Sequence, residues 1–180
     1  MEDGEPPIIF TLGSTIVWNA GNFYSESVVA AQKLGKRAVL LIGDDPLNLP
    51  QEPLGEHVFT IPYVSHVCLF PHASAIVHHG GIGTTGQALH ARKPMLIVPY
   101  GGDQFDNGAR IERLGVGRVI RRNHYRAERV AVALRQLLES PTSLQNAVLV
   151  GRQLRQEDGV QTACDAIEKL LRTKQESSRL

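Results

Sequence analysis

Ala75-Ile76-Val77-His78-His79-Gly80-Gly81-Ile82-Gly83-Thr84-Thr85-Gly86-Gln87-Ala88-Leu89 is the stretch whose reading decides the fold. A short apolar run passes through a glycine-rich turn into a segment of helical composition, so it reads as strand, turn and helix in succession. An anion binds well at such a junction. Glycine lets the backbone approach oxygen atoms closely, the first helical N–H groups lack acceptors, and the helix dipole adds partial positive charge. Thr84 and Thr85 add hydroxyl donors, and His79 can donate from a neutral ring or carry a charge. Neighbours on a strand face opposite ways, so at most one of the two histidines addresses a ligand, and its place at the turn selects His79. The plain structural alternative is that strand-to-helix turns favour Gly and Thr, with both histidines bordering a core.

Outward from this stretch the same alternation recurs. Ile8-Leu12, Ala38-Ile42, Val58-Ile61, Ala75-Val77, Met95-Val98 and Arg118-Ile120 are candidate buried parallel strands. Helical spacing occupies Asn22-Leu34, closed by Gly35, then Thr84-Ala91 and Phe105-Leu114, closed by Gly115. Parallel strands need such crossovers, which predicts a single α/β Rossmann-like domain with about six parallel strands and helices on both faces. Beyond the last strand the pattern is purely helical: Ala127-Leu138, Leu144-Arg155, and a terminal helix after Gly159 with Val160, Ala163, Ile167, Leu170 and Leu171 on one face.

Gly81-Ile82-Gly83-Thr84-Thr85-Gly86 also satisfies G-x-G-x-x-G, the fingerprint of a dinucleotide-dependent oxidoreductase. That fingerprint belongs to the first strand-to-helix turn, with an acidic residue about 20 positions on at the tip of the second strand. Here it follows the fourth candidate strand, and Asp103 lies in a loop beyond a strand rather than at its tip.

Two further groups fall on the same sheet edge. Asp103-Gln104 follows the Met95-Val98 strand, and a carboxylate beside an amide offers adjacent acceptors and donors suited to sugar hydroxyls. The alternative is a helix N-cap by Asp103 or Asp106. Gly13-Ser14-Thr15 follows the first strand and permits a tight turn with hydroxyls facing a phosphate. Asp44-Asp45-Pro46 reads as a turn, and no metal site is expected.

The 180 residues suffice for one core, since domains most often hold about 100 to 150 residues. Nineteen basic against eighteen acidic residues give a formal charge of +1, which excludes an overall electrostatic footprint for nucleic acid. Cys68 and Cys164 form no CxxC or zinc pattern and read as reduced thiols. No apolar run approaches the roughly 20 residues of a membrane span, and no leader is seen, so a cytoplasmic chain without stable membrane insertion is expected. Residues 1–6 read as a linker, 7–173 as the folded domain and 174–180 as a disordered tail. The abrupt start before a core strand points to something cut away upstream.

At these residues the sequence resembles the C-terminal domain of the family 1, UDP-glycosyltransferase-like enzymes, especially bacterial members acting on sterols, macrolides and other lipophilic aglycones. The most specific landmarks are Phe70-Pro71-His72-Ala73, His78 through Thr85, Pro94-Met95, Pro99, Asp103-Gln104, Asn107, Ala109-Arg110 and Leu114-Gly115-Val116-Gly117. The resemblance implies one half of a GT-B fold, with the donor bound here and the acceptor in an N-terminal half. It implies that His79 contacts the donor pyrophosphate with Gly81, Gly83 and Thr84, and that Asp103-Gln104 holds the transferred sugar. Tyr63 falls where relatives stack an aromatic ring on the nucleobase. Gln87 falls where many relatives have a ribose-binding glutamate, which leaves the ribose contacts and the choice between UDP- and TDP-sugar open. The implied chemistry is an inverting, cofactor-free, metal-independent displacement whose base lies in the N-terminal half; no residue here matches it. The other arrangement in view is a stand-alone donor-binding subunit that meets a separate acceptor subunit.

Overall fold

A parallel strand covered by helices on both faces has to be apolar at most successive positions, and the central strands of this sheet are. In the computed structural model, which describes residues 4–177, they are β1 (Ile8–Thr11), β2 (Ala38–Leu41), β3 (Val58–Ile61), β4 (Ala75–His78), β5 (Met95–Ile97) and β6 (Gly117–Val119). Every residue of β1, β2, β4 and β5 is buried. All neighbours pair in parallel in the order β3-β2-β1-β4-β5-β6, so the strand order reverses between β1 and β4. Open α/β sheets bind ligands at that switch point, outside the carboxyl ends of the strands.

Alternation along the strands divides the core in two. Ile8, Phe10, Ala38, Leu40, Ala75, Val77 and Leu96 pack with α2 (Phe23–Leu34) and α6 (Ala127–Leu138) on one face. Ile9, Val39, Leu41, Ile76, Met95 and Ile97 face Leu69 of α3 (His66–Leu69), Ala88 of α4 (Ile82–His90), Ile111 of α5 (Gln104–Arg113) and Ala147 of α7 (Pro141–Leu154). Polar atoms at the first face are paired: Tyr125 Oη and Ser27 Oγ lie 2.8 Å apart, and Tyr24 Oη donates to the Leu41 carbonyl at 2.5 Å.

Three boundaries differ from expectation. The helix expected from Leu144 starts at Pro141, because proline fits the first helical position and the Ser140 hydroxyl accepts the Ser143 amide at 3.2 Å. A short helix, α1 (Gly13–Ile16), follows β1 where only a turn was expected. The terminal helix, α8 (Gly159–Ser177), continues through residues 174–177 of the expected tail, a stretch of helix-compatible Lys, Gln, Glu and Ser; 178–180 lie outside the described residues. Its Val160, Ile167, Leu170 and Leu171 are exposed. Both cysteines are free and exposed, and among the described residues no helix is long and apolar enough to cross a membrane.

Candidate functional site

The loops leaving β1 and β4 meet at the switch point, and the His79 ring sits between them. A Cβ on Gly13 would lie 2.8 Å from His79 Cε1, and one on Gly81 would overlap Nε2, so both positions need glycine for the ring to fit. Gly13 also takes φ +65°, which side-chain-bearing residues rarely adopt. His79 is 7% exposed, and its Nδ1 is buried without a hydrogen-bond partner among the described residues. Burial lowers its pKa, the Asp103 carboxylate opposes that, and His66 adds to the lowering. The ring is therefore a neutral donor at pH 7.

His78 turns the other way, as strand alternation requires. Its Nδ1 accepts the Gly80 amide at 3.0 Å, which puts the proton on Nε2, and Nε2 donates to Met95 Sδ at 3.5 Å. Burial drives its pKa down to about 3, with smaller contributions from His79 and His66. This histidine shapes the turn and does not face the rim.

α4 begins at Ile82 with Gly81 as its cap residue and no side-chain cap. The amides of Ile82, Gly83 and Thr84 thus lack helical acceptors and form a cluster of donors. Thr85, expected to supply a hydroxyl donor, spends both its amide (2.9 Å) and its hydroxyl (3.0 Å) on the Gly81 carbonyl. Thr84 remains at the rim.

A cleft of about 660 Å3 opens beside this donor cluster. Ser14, Tyr63, Gly83, Thr84 and Gln87 line it together, which brings five of the expected residues to one place. Tyr63 is 82% exposed and offers an open ring face. Sequence reasoning missed Trp18, Asp44 and His66, which also line the cleft. Trp18, 64% exposed, was legible as the chain's single tryptophan shortly after a rim glycine; nothing in the local pattern singles out His66, which stacks on Phe70 at 4.3 Å. Asp45 accepts the Leu47 amide at 3.0 Å, so the Asp-Asp-Pro segment is a turn. Asn48 ties this loop down by donating to the carbonyls of Val17 and Ile42 at 2.9 and 2.7 Å.

Asp103 and Gln104 lie outside that lining, where the β5-α5 loop enters α5, one strand further along the rim. Asn107 links them to the glycine turn, donating to the Gly80 carbonyl and to Asp103 Oδ2, both at 2.9 Å. Asp103 occupies the cap position of α5, yet its side chain makes no cap bond and is exposed. Gln104 Oε1 accepts the amides of Tyr100 (2.8 Å) and Gly101 (3.3 Å), so it shapes the loop and leaves its NH2 group as the donor for a ligand. Among the described residues no group of three or more His, Cys, Asp or Glu is placed to hold a metal ion.

Six parallel strands in this order, flanked by helices, form a Rossmann-like sheet that matches the C-terminal half of GT-B glycosyltransferases. Residues 28–169 match the family described as erythromycin biosynthesis protein CIII-like, C-terminal domain, and the chain belongs to that family. It is 33% identical over 175 residues to an O-mycaminosyltylonolide 6-deoxyallosyltransferase of Streptomyces fradiae, covering 97% of this chain and 40% of that protein. It is 36% identical over 172 residues to a sterol 3-beta-glucosyltransferase of Aspergillus terreus, covering 92% of this chain and 12% of that protein. The solved glycosyltransferase of kitacinnamycin superposes with a TM-score of 0.82 at 26% identity, covering 94% of this chain and 44% of that one. The chain thus spans less than half the length of these relatives.

Proposed function

We propose that this chain is the donor half of an inverting, metal-independent glycosyltransferase, which binds a UDP- or TDP-hexose for transfer to a lipophilic hydroxyl acceptor. The observation that carries the reading is the line of groups along the rim. Tyr63 follows β3, Gly83, Thr84 and Gln87 follow β4, and Asp103 follows β5, with His79 clamped by Gly13 and Gly81 between the two loops at the switch point. An extended nucleotide-sugar fits that order: base on the Tyr63 ring, ribose near Gln87 and Ser14, diphosphate at His79 and the amides of α4, sugar at Asp103 and Gln104.

In this reading the half works by position and electrostatics. The reaction breaks the bond between the anomeric carbon and the diphosphate oxygen while an acceptor oxygen attacks from the opposite face. Negative charge grows on the leaving diphosphate, where His79 and the free amides of Gly83 and Thr84 already point. The base that removes the acceptor proton is assigned to an N-terminal half or partner subunit. The exposed apolar stripe of α8 supports a working surface shared with another unit.

The chain alone is therefore expected to bind donor and to transfer no sugar. Incubation with radiolabelled UDP- and TDP-sugars and a panel of sterols, macrolide aglycones and simple alcohols tests this, and glycoside formation at a rate above hydrolysis contradicts it.

A further inference from the structure

A second cavity, of about 620 Å3, opens on the same rim beyond the Asp103-Gln104 loop. Tyr100, Phe105, Arg121, Arg122 and Arg126 line it. No carboxylate lines it. Arg122 is fixed: it donates to the backbone and side-chain oxygens of Asn19, each at 3.2 Å, and its guanidinium lies 4.3 Å from the centroid of the Tyr100 ring. Arg126 is held by the Tyr125 carbonyl at 3.1 Å and by Glu26 at 3.6 Å. Glu26 is itself engaged, taking the Ala127 amide at 2.6 Å and the Asn22 side chain at 3.1 Å. The Arg121 side chain is exposed and makes no hydrogen bond or ion pair with a described residue.

The arrangement is unlike the donor cleft. Three permanently charged guanidiniums line one cavity, Glu26 offsets one, and two positive charges are left beside an aromatic ring, Phe105, 52% exposed. Planar guanidinium forks match carboxylate and phosphate oxygens in pairs, and exposed aromatic rings favour a flat apolar neighbour. We propose that this cavity is a second ligand site, for an oxyanion carried on a flat apolar body, with Arg121 as the residue that grips it and Arg122 and Arg126 as a preset field. Its place one loop beyond Asp103 puts such a molecule next to the transferred sugar. That use, as an acceptor-side subsite, rests on the donor reading above; the binding itself does not.

Calorimetric titration of the whole chain with 2-naphthoate, 2-naphthyl phosphate and the neutral 2-naphthol tests the site, with UDP titrated in parallel. Both anions should bind at least about tenfold tighter than 2-naphthol, and Arg121→Gln should remove about tenfold from the anions while leaving 2-naphthol, UDP and the unfolding midpoint unchanged. Phe105→Ala should weaken all three aromatic probes. The stronger of the two anions identifies the headgroup, carboxylate or phosphate. Equal binding of 2-naphthol, indifference to Arg121→Gln, or competitive displacement of 2-naphthoate by UDP overturns the proposal. Failure of UDP to bind while 2-naphthoate binds overturns the donor reading alone.

Discussion

The Gly80 amide donates to Nδ1 of His78 across 3.0 Å, inside a strand end that has no exposure to solvent. Gly80 itself stands at φ +90°, where a Cβ would lie 2.8 Å from Ile97 Cγ2, so the turn is held by this bond on one side and by close packing on the other. The bond aims the next residues of the loop, Gly81 and the start of α4. His78→Leu leaves the Gly80 amide buried without an acceptor, which should cost about 1 to 3 kcal/mol in urea unfolding and weaken UDP binding with it. His78→Asn returns a side-chain oxygen near the position of Nδ1 and should recover most of the UDP affinity even where stability is not fully restored.

The same residue predicts a pH dependence. Burial pushes the His78 pKa in the fold down to about 3 from its ordinary 6.5, so the native chain excludes a proton that the unfolded chain accepts. Its contribution to stability is complete above about pH 6.5 and is lost as pH falls toward 3, at about 1.4 kcal/mol per pH unit. The burial-lowered His66 and His79 act in the same direction. Urea midpoints measured from pH 7.5 to 4.5 should fall steadily below pH 6.5, and the slope for His78→Asn should be shallower by about one proton.

Much of this was legible beforehand because the governing patterns are local. Val58-Ile61 has the bounds read from the apolar run, and the other strands differ by one residue at one or both ends, since burial on both faces forces continuous apolar runs in the central strands. The glycine-rich turn between β4 and α4 was legible for a similar reason: glycine positions and the strand-to-helix change are sequence-local. What was not legible depends on contacts between distant segments. His66 reaches the cleft because β3 ends on the same sheet edge as β1 and β4, and the occupation of Gln104 by the Tyr100 and Gly101 amides is a property of the closed loop. The arginine-lined cavity needed three loops to be brought together.

Two glycines of the same turn should answer differently to alanine. A methyl at Gly81 meets the His79 ring, whereas one at Gly83 meets nothing within 4 Å on the protein side. Gly81→Ala should lower the melting temperature and abolish nucleotide binding, because the ring must move. Gly83→Ala should leave the melting temperature unchanged or slightly raised, given the better helix propensity of alanine, while weakening nucleotide binding by intrusion into the cleft. Thermal unfolding paired with UDP titration separates the two.

Tyr63 projects from the protein with 82% of its surface exposed, so its removal costs the fold little. Tyr63→Ala should keep the urea midpoint and weaken UDP and TDP by about two- to tenfold, the range of an aromatic stacking contact. Trp18 lines the same cleft and is the chain's only tryptophan, so its fluorescence should change on nucleotide binding and report the loss directly.

Calorimetric titration of the chain and two variants with UDP and UDP-glucose, and with TDP and TDP-glucose, checks whether one rim carries diphosphate at His79 and sugar at Asp103. His79→Ala should weaken nucleotide and nucleotide-sugar alike, because the proposal sets the diphosphate, which both share, against its ring. Asp103→Asn should leave the bare nucleoside diphosphates nearly unchanged and remove whatever added affinity the sugar brings. If the unmodified chain binds none of the four ligands, or if Asp103→Asn weakens UDP as much as UDP-glucose, the donor-site assignment is wrong.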